Sequence, residues 1–238
     1  IGNFSNEMVG VYSYSGKGWF NDRSAISKIG RPSFLSLTFG LMLFDVDMDS
    51  DLDLFIGNGH VYPERTKNQD GISYKQVSQL FVNNGNGLFA IANEKVSGIL
   101  NNKMVVRGVA VGDYDKDGDL DLLLTENNGP AHLWRNDTER KNYLRVNLIG
   151  RDSNMDGIGS KVLLYIGGYK MERLIRTGSS YLSQSELTAT FGLGEHQNID
   201  SVSVYWPSGK KESFYDIKIN NEILIEENSG AVEYFIRK

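Results

Sequence analysis

"DYDKDGDLD" (residues 113–121) sets five aspartates on alternate positions, with a glycine inside the run. The same arrangement stands 68 residues earlier as "DVDMDSDLD" (45–53), so the two runs need a common cause. With Asp113 as position 1, positions 1, 3, 5 and 9 are Asp113, Asp115, Asp117 and Asp121, and Gly118 is position 6. The earlier copy supplies Asp45, Asp47, Asp49 and Asp53, with Ser50 in the glycine slot. Four carboxylates this close repel one another unless a cation sits among them. Calcium suits the spacing, because it takes about 6 to 8 oxygens in a flexible shell. The position-7 residues, Asp51 and Asp119, can add a backbone carbonyl oxygen, and water the remainder. Two Ca2+ sites are expected, the 113–121 loop being the better formed. Ser50 stands where a glycine would accept a positive φ cheaply, at a cost of about 1 kcal/mol.

An EF-hand would need a bidentate Glu at position 12 and a helix on each side. Position 12 is Leu124 in one copy and Ile56 in the other, and both flanks read as strands. These are strand–loop–strand sites closed by the aspartate at position 9. The competing reading is an Asp-rich turn that binds nothing, since Asp favours turns through its own backbone hydrogen bonds. The same four positions filled twice weigh against it.

The repeat extends beyond the loops. "GLMLFDVDMDSDLDLFIGN" (40–58) aligns with "GVAVGDYDKDGDLDLLLTEN" (108–127), and "VYSYSGKGWF" (11–20) with "LFVNNGNGLF" (80–89). A third piece, "LWRND" (133–137), matches "LFVNN" (80–84). "IGN" at 1–3 corresponds to "IGN" at 56–58, which gives the expectation that the chain begins inside a repeat of a longer array. After the polar link "TERKN" (138–142) no Asp-rich loop follows.

Four prolines, 26 glycines and short apolar runs between turn signals argue for strands over helices. In "SVSVYW" (201–206) the alternation is strict, with Val202, Val204 and Trp206 on one face. The 238 residues are 40% hydrophobic and 23% charged, as in a soluble globular protein with a sizeable core. No apolar run reaches the roughly 18–20 residues of a membrane span. A net charge of -5 without a Lys/Arg block argues against nucleic acid as a partner. The absence of cysteine removes disulfides, zinc–thiolate sites and thiol nucleophiles together. Ile1 is not an initiator Met and no signal peptide is visible, so the natural start is expected upstream.

The loop Asp-x-Asp-x-Asp-Gly-x-x-Asp-Leu between strands, followed by "NNGNGLF", resembles the FG-GAP (VCBS-type) repeats of integrin-like β-propellers. There each repeat is a four-stranded blade whose loop binds calcium, which implies calcium at the eight aspartates in positions 1, 3, 5 and 9. "NMDGIGSKV" (154–162), "TGSSYLSQSE" (177–186), "FGLG" (191–194) and "VYWPSGK" (204–210), in that order, resemble the ASPIC/UnbV domain. That domain follows FG-GAP repeats in the cartilage acidic protein family and in many bacterial exported proteins.

The expected fold is therefore all-β: a partial β-propeller of about two FG-GAP-type blades (residues 1–138) followed by a small β-rich domain (139–238). Two blades cannot close a ring that needs at least about four, so further blades of the same protein are expected upstream. The resemblance implies adhesion, scaffolding or ligand binding with structural calcium. The partner would be a protein or glycan, and the location extracellular, periplasmic or cell-surface, where calcium is plentiful. The alternative is an enzyme or accessory protein acting on carbohydrate or in enediyne-type natural-product assembly. It needs two carboxylates across a cleft, for which Glu186, Glu195 and Asp200 are available. A third reading, a structural module docking onto further blades, predicts exposed apolar side chains around Phe4, Tyr12 and Phe20.

Other features read as structure. His60, His132 and His196 lack metal-ligand spacing and read as surface or turn residues. "TGSSYLSQ" lacks the Gly-x-Ser-x-Gly of a nucleophile elbow. It remains the segment best placed to contact a ligand, through Arg176, Ser179, Ser180, Tyr181 and Gln184. Trp206 shares a face with Val202 and Val204 and is expected in the core. Residues 59–75, polar with two tyrosines, are an insertion that either contacts a partner or is a plain surface loop.

Overall fold

The computed structural model describes residues 1–65, 71–92 and 98–235. Among them are nineteen strands and one four-residue α-helix, so the chain is nearly all β. Strands β1 (Tyr12–Tyr14) and β2 (Phe20–Asp22) form a hairpin. After α1 (Gly30–Ser33) come β3 (Thr38–Phe44), β4 (Asp53–Asn58), β5 (Gln76–Val77), β6 (Gln79–Asn83), β7 (Phe89–Ile91) and β8 (Lys103–Met104). Strands β3, β4, β6 and β7 make an antiparallel four-stranded blade in that order, while β5 pairs with β8. Next, β9 (Val106–Gly112), β10 (Asp121–Glu126) and β11 (Ala131–Trp134) form a three-stranded sheet with β10 central.

The sequence repeat is a repeat in space. Strands β9 and β10 start and stop 68 residues after β3 and β4, and β2 leads β7 by 69. The β1–β2 hairpin thus corresponds to the outer pair of a blade. In the complete blade β4 is buried on both faces, as the two-residue period of a strand between two layers requires. Leu54 and Ile56 pack with Val9, Ile29, Phe81 and Phe89. Phe55 turns the other way, into a cluster with Met42, Leu122, Leu124 and Trp134 that joins the two blades. Its ring meets Trp134 edge-on at 6.0 Å. Each such side chain fully buried contributes about 1.5–3 kcal/mol.

The second unit holds β12 (Asn142–Ile149), β13 (Lys161–Ile166), β14 (Tyr169–Leu174), β15 (Ala189–Gly194), β16 (Ser201–Tyr205), β17 (Lys211–Phe214), β18 (Asn221–Glu226) and β19 (Val232–Tyr234). They form two four-stranded sheets, β15-β12-β18-β19 and β14-β13-β16-β17. Only the β12–β18 pair is parallel within them. The inward faces share one core that includes Val146, Leu164, Phe191, Val202, Val204 and Ile223. Trp206 is buried there, its Nε1 donating to Glu212 Oε2 at 2.8 Å.

Two expectations about single segments change. His60 is buried, not a surface residue, and its Nδ1 accepts from the Tyr62 N–H at 3.1 Å. Its ring meets Phe4 edge-on and Tyr62 at a tilt, both at 5.3 Å. Part of the 59–75 insertion, residues 66–70, lies outside the described residues. The described part folds back on itself, with the His60 N–H on Tyr74 O, and reaches the second blade where Asn127 Nδ2 donates to Tyr74 Oη.

Candidate metal centre

Each aspartate run is the loop between the first two strands of a blade, 45–53 joining β3 to β4 and 113–121 joining β9 to β10. The two loops have one backbone. Position 4 is left-handed in both (Met48 φ 58°, Lys116 φ 61°), as is position 6 (Ser50 φ 87°, Gly118 φ 108°). The position-6 conformation is the one the glycine slot announced; position 4 carried no signal in its side chain.

The carboxylates of positions 1, 3 and 5 converge. Asp45, Asp47 and Asp49 place one oxygen each within 4.8 Å of one another, and so do Asp113, Asp115 and Asp117. Position 1 also shapes its loop: Asp45 accepts the N–H groups of Asp49 and Ser50, and Asp113 those of Asp117 and Gly118. Position 9 does different work. Asp53 accepts from Val46 N–H and Asn83 N–H, and Asp121 from Tyr114 N–H and Asn136 N–H, all at 2.8 Å. It closes the loop and latches it to the next strand. The asparagines of that latch occupy the same place in "LFVNN" and "LWRND", a repeated signal whose role the sequence did not disclose.

Charge in the loops is badly balanced. Five carboxylates at 113–121 face Arg135 (3.9 Å from Asp115), Arg140 (3.6 Å from Asp117) and Arg145 (3.4 Å from Asp113). Two of those cations are shared, Arg135 with Asp137 and Arg145 with Glu186 and Glu222. Burial pushes Asp45 and Asp53 up to about 7, and neighbouring aspartates add to the shift. Burial, with Asp117 and Asp121 beside it, pushes Asp119 up to about 8. Asp47 Oδ1 and Asp119 Oδ1 are buried with no hydrogen-bond partner. Crowded carboxylates that hold protons near neutral pH, and carboxylate oxygens without donors, are the donor set a divalent cation neutralises. The residues present fit a hard, oxygen-seeking ion.

The remaining sequence candidates divide. Segment 177–186 lies along the first strands of both blades. Leu41 N–H donates to Ser180 Oγ and Val111 N–H to Ser185 Oγ, both at 3.1 Å. Ser179 Oγ sits 3.2 Å from Ser185 Oγ, and the Tyr181 ring meets Phe39 edge-on at 4.9 Å. Arg176 and Gln184 are exposed. Arg176 and Ser179 line a cleft of about 360 Å³ between the blades and the second unit, together with Asp45, Arg173 and Glu186. Arg145 and Arg173 escaped the sequence reading. Arg145, a charged residue inside the apolar run "YLRVNL", was the visible clue.

Residues 45–124 match the FG-GAP-like repeat family. Residues 150–232 match the family described as ASPIC and UnbV. The FG-GAP-like match runs from the first aspartate of one loop through the whole of the other, and the two matches leave the polar link between them. Cartilage acidic protein 1 of Homo sapiens is 39% identical over 112 residues, which is 44% of this chain and 16% of that protein. The protein of the same name from Xenopus tropicalis is 39% identical over 110 residues, 43% and 16% of the two chains. The chain thus spans about a sixth of the length of the curated relatives it matches. The order of an FG-GAP-like repeat followed by ASPIC/UnbV stands as the sequence implied.

Proposed function

We propose that the chain is a calcium-binding portion of an extracellular or exported repeat protein that acts in adhesion, scaffolding or ligand binding. Calcium is structural in this reading. It is held by Asp45, Asp47 and Asp49 in one loop and by Asp113, Asp115 and Asp117 in the other. The position-7 carbonyls of Asp51 and Asp119 and the latching carboxylates of Asp53 and Asp121 complete the oxygen set. Residues 1–138 form the repeat unit and 139–238 the second unit, which the separate hydrophobic clusters support. The observation that carries the reading is the same three-carboxylate convergence in two loops of one backbone conformation.

The test is a thermal melt in EDTA, in calcium and in magnesium, on the wild type and on the Asp47→Ala, Asp115→Ala double variant. Calcium at about 100-fold above Kd adds roughly 2.7 kcal/mol per site. The wild-type midpoint rises with calcium and the variant's does not. A wild type indifferent to calcium would reduce both loops to turns.

One observation favours the docking-module reading as a companion. Phe4, Tyr12 and Phe20 are exposed, as a surface that seats a further blade requires. The enzyme reading gains less. Glu186 is held bidentate by Arg145, at 2.8 and 2.9 Å, while Glu195 and Asp200 are exposed. The cleft of about 360 Å³ carries Asp45, Glu172 and Glu186, but Asp45 is engaged by the N–H groups of its own loop and Glu186 by Arg145. A second groove, over residues 197–199 and 216–219, is lined by a single acid, Asp216, where glycoside chemistry needs two. Among the described residues no helix is long and apolar enough to cross a membrane.

A further inference from the structure

We infer that cation occupancy of the two aspartate loops governs the docking of the second β unit onto the blades, an inference that rests on the loops binding calcium. Both loops face that unit, and they face neighbouring strands of it. Gly194 N–H of β15 donates to Met48 O at 2.9 Å, and Ser50 Oγ donates to Gly192 O at 3.0 Å. The approach is so close that a Cβ on Gly192 would stand 2.5 Å from Met48 Cα. At the other loop, a Cβ on Gly118 would overlap the ring of Tyr143 on β12, and Arg145 of β12 reaches Asp113. Strands β12 and β15 pair with each other, so two adjacent strands of one sheet span both loops.

The covalent link runs through the same place. Asn136 Nδ2 and Thr138 Oγ1 both donate to Val46 O, and Arg140 pairs with Asp117. Away from the loops the contacts described between the unit and the blades are the polar ones of the 179–186 segment with β3 and β9 and one edge-on ring contact, Tyr181 against Phe39. Among the described residues, no cluster of buried hydrophobic side chains is shared by the two units. Docking therefore depends on loops that keep their shape. Their shape depends on balancing five carboxylates each. Arg145 cannot stand in for the ion, because Glu186 and Glu222 already hold its charge. Whatever stabilises the loops stabilises the docked state, and by linkage docking raises the affinity of the loops for the ion.

The test uses the whole chain, whose lack of cysteine makes labelling clean. Nitroxides on Pro130→Cys, in the exposed turn between β10 and β11 of the second blade, and Tyr215→Cys in the second unit report their separation. Calcium binding is followed in parallel by calorimetry, and amide exchange in β13 and β16 reports whether the unit stays folded. The expected result is a narrow distance distribution in calcium and a broad one in EGTA, with β13 and β16 protected in both. At calcium about 100-fold above Kd, each fully coupled loop favours the docked state by up to about 100-fold. Adding Asp47→Asn and Asp115→Asn leaves the distribution broad in both conditions. A distribution that stays narrow in EGTA, while calorimetry shows calcium bound, would overturn the inference and leave the metal sites intact. Melting of β13 and β16 in EGTA, in place of release of a folded unit, would overturn it too. If calorimetry detects no calcium binding, the metal reading fails and the inference falls with it.

Discussion

Asp53 and Asp121 are engaged on both oxygens by backbone N–H groups, whereas Asp47 and Asp119 each keep a buried oxygen with no donor. One residue type in one run therefore does two jobs, and substitution separates them. Asp121→Ala leaves two backbone donors without acceptors at about 1–3 kcal/mol each, so its cost is paid in EDTA as well as in calcium. Asp47→Ala and Asp115→Ala cost under about 1 kcal/mol in EDTA and lose only the response to calcium. Denaturant melts in both conditions check this, and equal costs for both kinds of variant in EDTA would erase the distinction. Glu227 gives the pH-dependent counterpart. It is 1% exposed and accepts the N–H groups of Arg151, Asp152 and Ser153 and the hydroxyls of Ser153 and Ser208. Burial works to raise it, but those donors overcome the effect and hold it at about 2, below its ordinary 4.5. A depressed carboxylate contributes stability that is complete above the unfolded value and lost as pH falls through the folded one. Glu227→Gln should therefore cost about 2–4 kcal/mol at neutral pH. The gap to wild type should close between about pH 4.5 and 2, and a gap constant with pH would refute the assignment. Nothing in the sequence marked Glu227, because four of its five donors come from one loop 74 to 76 residues away and the fifth from the turn after Trp206.

At the scale of elements, the loops and the strands beside them were legible because their signals are local. Alternate aspartates, a glycine slot and flanking apolar alternation fix β3, β4, β9 and β10 together with their turns. The 69-residue offset aligned 11–20 with 80–89, and in the structure β1 and β2 pair as β6 and β7 do. What alternation cannot give is a partner. The parallel pairing of β12 with β18 joins Leu144 to Asn221, and Arg145 collects Asp113, Glu186 and Glu222 from three distant segments. The contact between blades was hidden for the same reason. Glycines on the first blade let it approach the second: a Cβ at Gly59 would stand 2.5 Å from Val105 Cα, where only backbone could yield. Gly59→Ala should thus destabilise by about 1–3 kcal/mol through overpacking. An unchanged unfolding midpoint would mean that the blades can move apart without cost.

For the whole molecule, comparison of equivalent positions shows which surfaces are built to be covered. Phe55 is 0% exposed between the two blades, while Leu123, its equivalent in the second blade, is 45% exposed. Leu80 is buried and its equivalent Leu133 is exposed, and Leu123 and Leu133 are directly opposed across β10 and β11. At the other end Phe81 is 0% exposed and its equivalent Tyr12 is 50%. A blade buries both faces against its neighbours, and here one face at each end lacks a neighbour among the described residues. Contiguous apolar surface of this kind associates in water. The chain should therefore self-associate as its concentration rises, by stacking the β10–β11 face on the exposed aromatic hairpin of another copy. Leu123→Glu with Leu133→Lys places an opposed charged pair on that face and should hold the chain monomeric while leaving the calcium response unchanged, since neither residue lies in a loop. Light scattering over a concentration series distinguishes the outcomes. Wild-type chain that remains monomeric throughout would show that these faces are satisfied within one copy, and the correspondence between blade positions would then fail as a guide to what covers them.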